Sequence, residues 1–144
     1  MEVSNSVECK EILQSLYLKW GIKNDHWIPL EERKNSKEIV FYPHDYFFNN
    51  YGIDQLRKLV SSISKDKIYK WHWETRNQEL YEIPIKELIS YKQELLEKYY
   101  FDQTFDWVIY MSHENTITFG GKTIINQLEN DWSNWEKNIN QWEE

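Results

Sequence analysis

The stretch Phe105-Asp106-Trp107-Val108-Ile109-Tyr110-Met111 constrains this chain most. Apart from Asp106 it is apolar throughout, so a strand built from it has no face to offer water and must meet protein on both sides. After Ser112-His113-Glu114-Asn115 the chain resumes as Thr116-Ile117-Thr118-Phe119 and stops at Gly120-Gly121, which predicts a hairpin. A second hairpin is written into Ile68-Tyr69-Lys70-Trp71-His72-Trp73-Glu74, where alternation puts Tyr69, Trp71 and Trp73 on one face. Thr75-Arg76-Asn77-Gln78 turns it back through Glu79-Leu80-Tyr81-Glu82-Ile83. Ile39-Val40-Phe41-Tyr42 reads as a further strand closed by Pro43, and His26-Trp27-Ile28-Pro29-Leu30 as an edge strand at most, because proline cannot donate to a central ladder.

Between these strands the apolar spacing changes to three and four. Cys9, Ile12, Leu13, Leu16, Tyr17 and Trp20 mark one face of a helix over Val7–Trp20, with Ser6 as N-cap and Gly21 as its end signal. Asp45–Gly52 reads as a helical turn or an ordered loop, and Asp54 as the cap of a helix carrying Leu56, Leu59, Val60 and Ile63. After Pro84, the positions Ile85, Leu88, Ile89, Leu95, Leu96 and Tyr99 predict another helix. Ile124, Leu128, Trp132, Trp135, Ile139 and Trp142 predict a last one, continuous to the end. Short hairpins require antiparallel pairing. The expectation is therefore one α+β domain over residues 1–144, an antiparallel sheet of hairpins with helices packed mainly on one face.

Composition agrees with a packed core of unusual make-up. Among 144 residues there is no alanine and there are four glycines, while 17% are aromatic, which is opposite to the profile of a disordered chain. The single cysteine, Cys9, excludes an internal disulfide framework and lies on the first helical stripe, where it reads as a small buried hydrophobe. No apolar run approaches the roughly 18 residues of a membrane span. Met1-Glu2-Val3-Ser4-Asn5-Ser6 lacks the basic and apolar regions of a secretory signal, so a cytoplasmic location is expected.

The net charge of −7 argues against a nucleic-acid binder, whose phosphate contacts need clustered lysine and arginine. The charge is also uneven: residues 1–70 carry a net +1 and residues 71–144 a net −8. If the later acids converge, they form a negative face that attracts basic partners; the plainer reading is solubility. Glu129, Asp131 and Glu136 on the last helix are the candidate contacts, with Trp142 as an aromatic anchor of the kind favoured at interface hot spots.

Two other constellations carry potential chemistry. His72 with Glu74 on a strand, and His113 with Glu114 in a turn, would supply two imidazoles and two carboxylates for a metal or for acid–base catalysis if the elements neighbour each other. No recognised metal, nucleophile or phosphate-binding motif accompanies them. The plainer reading gives them turn and surface roles, with no metal and no cofactor. Tyr69, Trp71 and Trp73 would make a stacking platform for sugars or peptides if exposed, and a core layer if not.

The segment from Tyr99-Tyr100-Phe101-Asp102 through Asp106-Trp107-Val108-Ile109-Tyr110-Met111-Ser112-His113-Glu114-Asn115-Thr116-Ile117-Thr118-Phe119-Gly120-Gly121 resembles immunity proteins of bacterial polymorphic toxin systems. The resemblance is concentrated in those residues, extends loosely to the Trp71–Glu82 hairpin, and elsewhere rests on size and acidity. It implies a protein without catalytic activity that binds and neutralises the toxic C-terminal domain of a cognate toxin, often a nuclease with a basic cleft. It implies no particular contact residues. The Ser112-His113-Glu114 turn belongs to the shared pattern and so suits a scaffold role as much as a contact.

Overall fold

A computed structural model describes residues 6–20, 39–64, 67–72, 80–89, 98–111 and 116–132. Six strands, β1 (Ile39–Pro43), β2 (Lys67–His72), β3 (Leu80–Pro84), β4 (Lys98–Phe101), β5 (Val108–Met111) and β6 (Thr116–Gly120), form one sheet in the order β1-β6-β5-β4-β2-β3. Every pairing is antiparallel. Among the described residues the α-helices are α1 (Ser6–Trp20), α2 (His44–Asn50), α3 (Ile53–Ile63) and α4 (Lys122–Asp131), with a 3-10 turn at Ile85–Glu87. The α+β architecture expected from the hairpins is the one observed.

Alternation along each strand divides the core in two. Tyr42, Tyr100, Ile109, Ile117 and Phe119 point to the face covered by α2, α3, α4 and the 3-10 turn. Trp71, Tyr99, Phe101, Val108 and Tyr110 point to the other, where Leu13, Leu16 and Trp20 of α1 cover them. Three helices on one face and one on the other fit the expected bias. The β5 strand is third in the order and buried on both sides, as its apolar run requires. Cys9 is half-buried against the α1 layer.

Several local expectations are corrected. The helix predicted from Ile85 to Tyr99 is, in the described residues, a single 3-10 turn, and Lys98–Phe101 is a strand. The Arg57 guanidinium donates to the Leu88 carbonyl from Nε at 3.1 Å and from Nη2 at 2.8 Å, and Ile89 has φ 53°. At Ile89 the backbone leaves the right-handed region that a helix requires. Tyr99 and Phe101 face α1 while Tyr100 faces the opposite layer, a period of two that joins the two hairpins through β4. The α3 N-cap is Gly52 at φ 95°, not Asp54, which sits in the first turn where a carboxylate suits the helix dipole. The predicted strand over Phe105–Met111 begins only at Val108. The last helix ends at Asp131, because Trp132 is extended at φ −130° and ψ 94°. Residues of that predicted stripe beyond Trp132, and the proposed edge strand at 26–30, lie outside the described residues.

The loop from β4 to β5 is tied together by one carboxylate. Asp102, 4% exposed, accepts from Ser64 Oγ at 2.7 Å and Trp107 Nε1 at 3.0 Å on one oxygen, and from Thr104 N at 2.9 Å and Thr104 Oγ1 on the other. Phe105 adopts φ 59°, and its carbonyl accepts from Trp20 Nε1 at 3.2 Å. A Cβ on Gly121, at φ 118°, would lie 2.3 Å from the Asp106 carbonyl oxygen. The Asp-Trp and Gly-Gly ends of the segment that carries the resemblance are thus packed backbone to backbone, a scaffold duty.

Candidate functional site: an acidic and aromatic surface

Two of the acids singled out by sequence, Glu129 and Asp131, are exposed at the C-terminal end of α4. They stand beside an aromatic cluster that the strand and helix ends assemble. Trp132, turned out of the helix, packs with ring centroids 5.4 Å from Tyr42, 5.7 Å from Phe47 and 5.3 Å from Tyr51. Phe47 is the buried residue of α2, and Phe119 of β6 backs it at 5.2 Å. On the outer side Tyr46, 40% exposed, lies nearly parallel to Trp132 at 6.5 Å.

The carboxylates are coupled to the phenols beneath them. Tyr51 Oη donates to Asp131 Oδ2 at 3.2 Å, which holds that acid against the cluster. Burial, then the Asp131 charge and this hydrogen bond, push the Tyr51 phenol well above its ordinary range. Burial, then the Glu129 charge and then Tyr46, likewise raise the Tyr42 phenol. Asp45, next to Tyr46 on α2, is exposed, with its Oδ1 3.2 Å from His44 Nδ1. Among the described residues no lysine or arginine pairs with Glu129 or Asp131. Electrostatically the surface is negative, and chemically it combines exposed aromatic area with carboxylate acceptors.

The described acids of the later half do not gather as one face. Glu82 lies on the β3 edge and meets Lys67 at 3.7 Å, and Asp102 is buried in the β4–β5 loop. Glu129 and Asp131 lie on the side of the sheet where α4 packs over β6, and most of the acids expected to form the negative face lie outside the described residues. Glu136 and Trp142 lie outside the described residues. Tyr46, Tyr51 and Trp132 were not singled out as contacts by sequence. The signal available was the dense run Asp45-Tyr46-Phe47-Phe48-Asn49-Asn50-Tyr51, in which one helical turn carries more rings than its buried side can absorb.

Of the two histidine–carboxylate pairs, only His72 lies among the described residues, and it is placed by its backbone pairing. His72 pairs with Lys98, which pairs with Met111, so β4 runs between the end of β2 and the end of β5. At about 4.8 Å per strand step, the ends of β2 and β5 are about 10 Å apart. Glu74, His113 and Glu114 lie outside the described residues. Among those described, no three His, Cys, Asp or Glu side chains come together to hold a metal. Trp71 is fully buried, stacked on Tyr99 at 5.0 Å, and Tyr69 is half-buried against Phe101, so Trp71 belongs to the core and not to an open platform. Trp73 lies outside the described residues. No helix among those described is long and apolar enough to cross a membrane.

Comparison with protein-family models, curated proteins and solved structures finds no match to this chain.

Proposed function

We propose that this chain is a non-catalytic binding protein that neutralises a basic toxin domain, as its resemblance to immunity proteins implies. The observation that supports this reading is the surface made by Tyr46, Trp132, Glu129 and Asp131, where exposed aromatic area occurs with carboxylates that pair with no lysine or arginine among the described residues. A few residues carry most of the energy of a protein interface, with tryptophan and tyrosine enriched among them, and charges of one sign speed encounter with a partner of the other. A nuclease domain, whose cleft is basic in order to hold phosphate, is the toxin class that fits. The central strands of the resembling segment carry the sheet, and the α2 and α4 ends are the described surface offered here for contact.

The test is co-expression with the C-terminal domain of the toxin encoded beside this gene, scored by growth. Rescue is expected, and it should weaken when Glu129 and Asp131 are both changed to lysine. Association should slow steeply with added salt, since exposed charges are screened over about 8–10 Å at physiological ionic strength. Toxicity that persists despite soluble expression of both chains would remove the inhibitor reading.

A further inference from the structure

A cleft of about 370 Å³ opens between the C-terminal end of α3 and the β4–β5 loop, lined by Ser62, Ile63, Ser64, Lys67, Gln103 and Thr104. That volume lies at the small end of the roughly 300–1,000 Å³ of small-molecule sites. Three hydroxyls line it, and each has its proton committed elsewhere. Ser62 Oγ donates to the Leu59 carbonyl at 2.6 Å, Ser64 Oγ to Asp102 Oδ2 at 2.7 Å, and Thr104 Oγ1 to Asp102 Oδ1. A hydroxyl carries one proton and two lone pairs, so toward a ligand all three act as acceptors. Thr104 Oγ1 keeps one lone pair after accepting from the Asp106 N–H at 3.1 Å. Because Ser64 and Thr104 donate to the two oxygens of one carboxylate, their own oxygens stand within about 7 Å of each other.

The electrostatics have the same sign. Asp102 accepts four hydrogen bonds, which fill its roughly four lone-pair sites, so its charge reaches the cleft only through the hydroxyls. The C-terminal end of α3 adds partial negative charge, with no basic residue in its last turn. Lys67 is the cation of the lining, and its Nζ lies 3.7 Å from Glu82 Oε1 on β3, across β2 from the β4–β5 loop. We infer that the cleft is a binding site for a primary alkylammonium group, its N–H bonds directed to the Ser62, Ser64 and Thr104 oxygens and its chain lying along Ile63. An ammonium has three donors and no acceptor, which suits separate single acceptors. An anion would meet lone pairs and the Asp102 charge, and a guanidinium fork requires a carboxylate with free lone pairs. The site shares no residue with the α2–α4 surface and does not depend on the inhibitor reading. A free amine and a lysine side chain present the same group, and the test separates them.

The probes are n-pentylamine and blocked lysine (acetyl-lysine amide), titrated at low salt into the full chain, with pentanol and tetramethylammonium as controls. The readout is the NMR signal of the Trp107 indole N–H, which donates at 3.0 Å to the same Asp102 oxygen as Ser64 and is itself buried. Pentylamine is expected to shift that signal saturably, whereas pentanol, which lacks the charge, and tetramethylammonium, which lacks the N–H bonds, should not. Saturation by pentylamine alone identifies a site for free amines, and saturation by both probes a site that also admits a protein lysine. Ser62→Ala, on the exposed side of α3, and Thr104→Val should each weaken binding several-fold, and Lys67→Gln should tighten it by removing a like charge. The site is overturned if neither amine gives a saturable shift, if tetramethylammonium matches pentylamine, or if Ser62→Ala and Thr104→Val both leave the affinity unchanged.

Discussion

Replacing Asp102 should show how much of the fold depends on one buried carboxylate. Its two oxygens accept four hydrogen bonds, from Ser64, Trp107 and twice from Thr104. A hydrogen bond to a charged acceptor contributes about 1.5–3 kcal/mol, but the losses do not add. The Ser64 and Thr104 groups are only part-buried, so in Asp102→Ala they can turn to water. The Trp107 indole N–H is buried and cannot, and leaving such a donor unsatisfied costs about 1–3 kcal/mol. With loosening of the Phe105 turn, whose N–H donates to the Asp102 carbonyl at 3.0 Å, the total should be about 3–4 kcal/mol. That is a large share of the roughly 5–15 kcal/mol of a typical domain. Urea unfolding followed by tryptophan fluorescence would read it as a lower midpoint at unchanged slope. The double-mutant cycle of Asp102→Ala with Trp107→Phe should be strongly non-additive, because each removes one end of the same bond. A loss under about 1 kcal/mol for Asp102→Ala, or an additive cycle, would refute the reasoning.

Gly121→Ala should cost at least about 2 kcal/mol, since the new Cβ meets the Asp106 carbonyl oxygen at a positive φ, and thermal denaturation would measure it. Leu56→Ala, in a fully buried position, should cost about 2–5 kcal/mol, whereas Leu18→Ser, 86% exposed on α1, should change stability by less than about 0.5 kcal/mol. Stability should fall as pH rises above about 10: Tyr42 and Tyr51 hold their protons more tightly folded than unfolded, so above the ordinary phenol range the unfolded state binds fewer protons and is favoured. Absorbance titration should show these two phenols ionising only with unfolding, and Tyr42→Phe with Tyr51→Phe should flatten the alkaline slope. Reversing the exposed Lys67–Glu82 pair should leave the urea midpoint within experimental error, because such pairs contribute about 0–1 kcal/mol.

Much of the architecture is carried by local pattern. A side-chain period of two in Ile68–Trp71 and Val108–Met111 already states which residues share a face, and the observed core divides along those lines. The period of 3.6 in α1 and α3 likewise announced Leu13, Leu16, Trp20, Leu56 and Leu59 as buried. Hairpins, glycine stops and one α+β sheet follow from these signals, because each depends on residues a few positions apart. The acidity of the α4 end was equally visible, since Glu129 and Asp131 could be read as exposed from their place off the apolar stripe.

What the linear pattern left undecided depends on groups that meet only once the chain has closed. Leu88, Ile89 and Tyr99 fit a helical stripe, yet Arg57 claims the Leu88 carbonyl from 31 residues away and Lys98–Phe101 pairs with two strands instead. Trp132 fits the last stripe as well, yet its ring leaves the helix to pack on Tyr42, Phe47 and Tyr51. At the acidic and aromatic surface a tyrosine and an aspartate 80 positions apart share a hydrogen bond. Local conformational preference differs by at most about 1 kcal/mol per residue for most side chains, whereas burying a large ring contributes a few, so contacts between distant segments prevail wherever the two disagree.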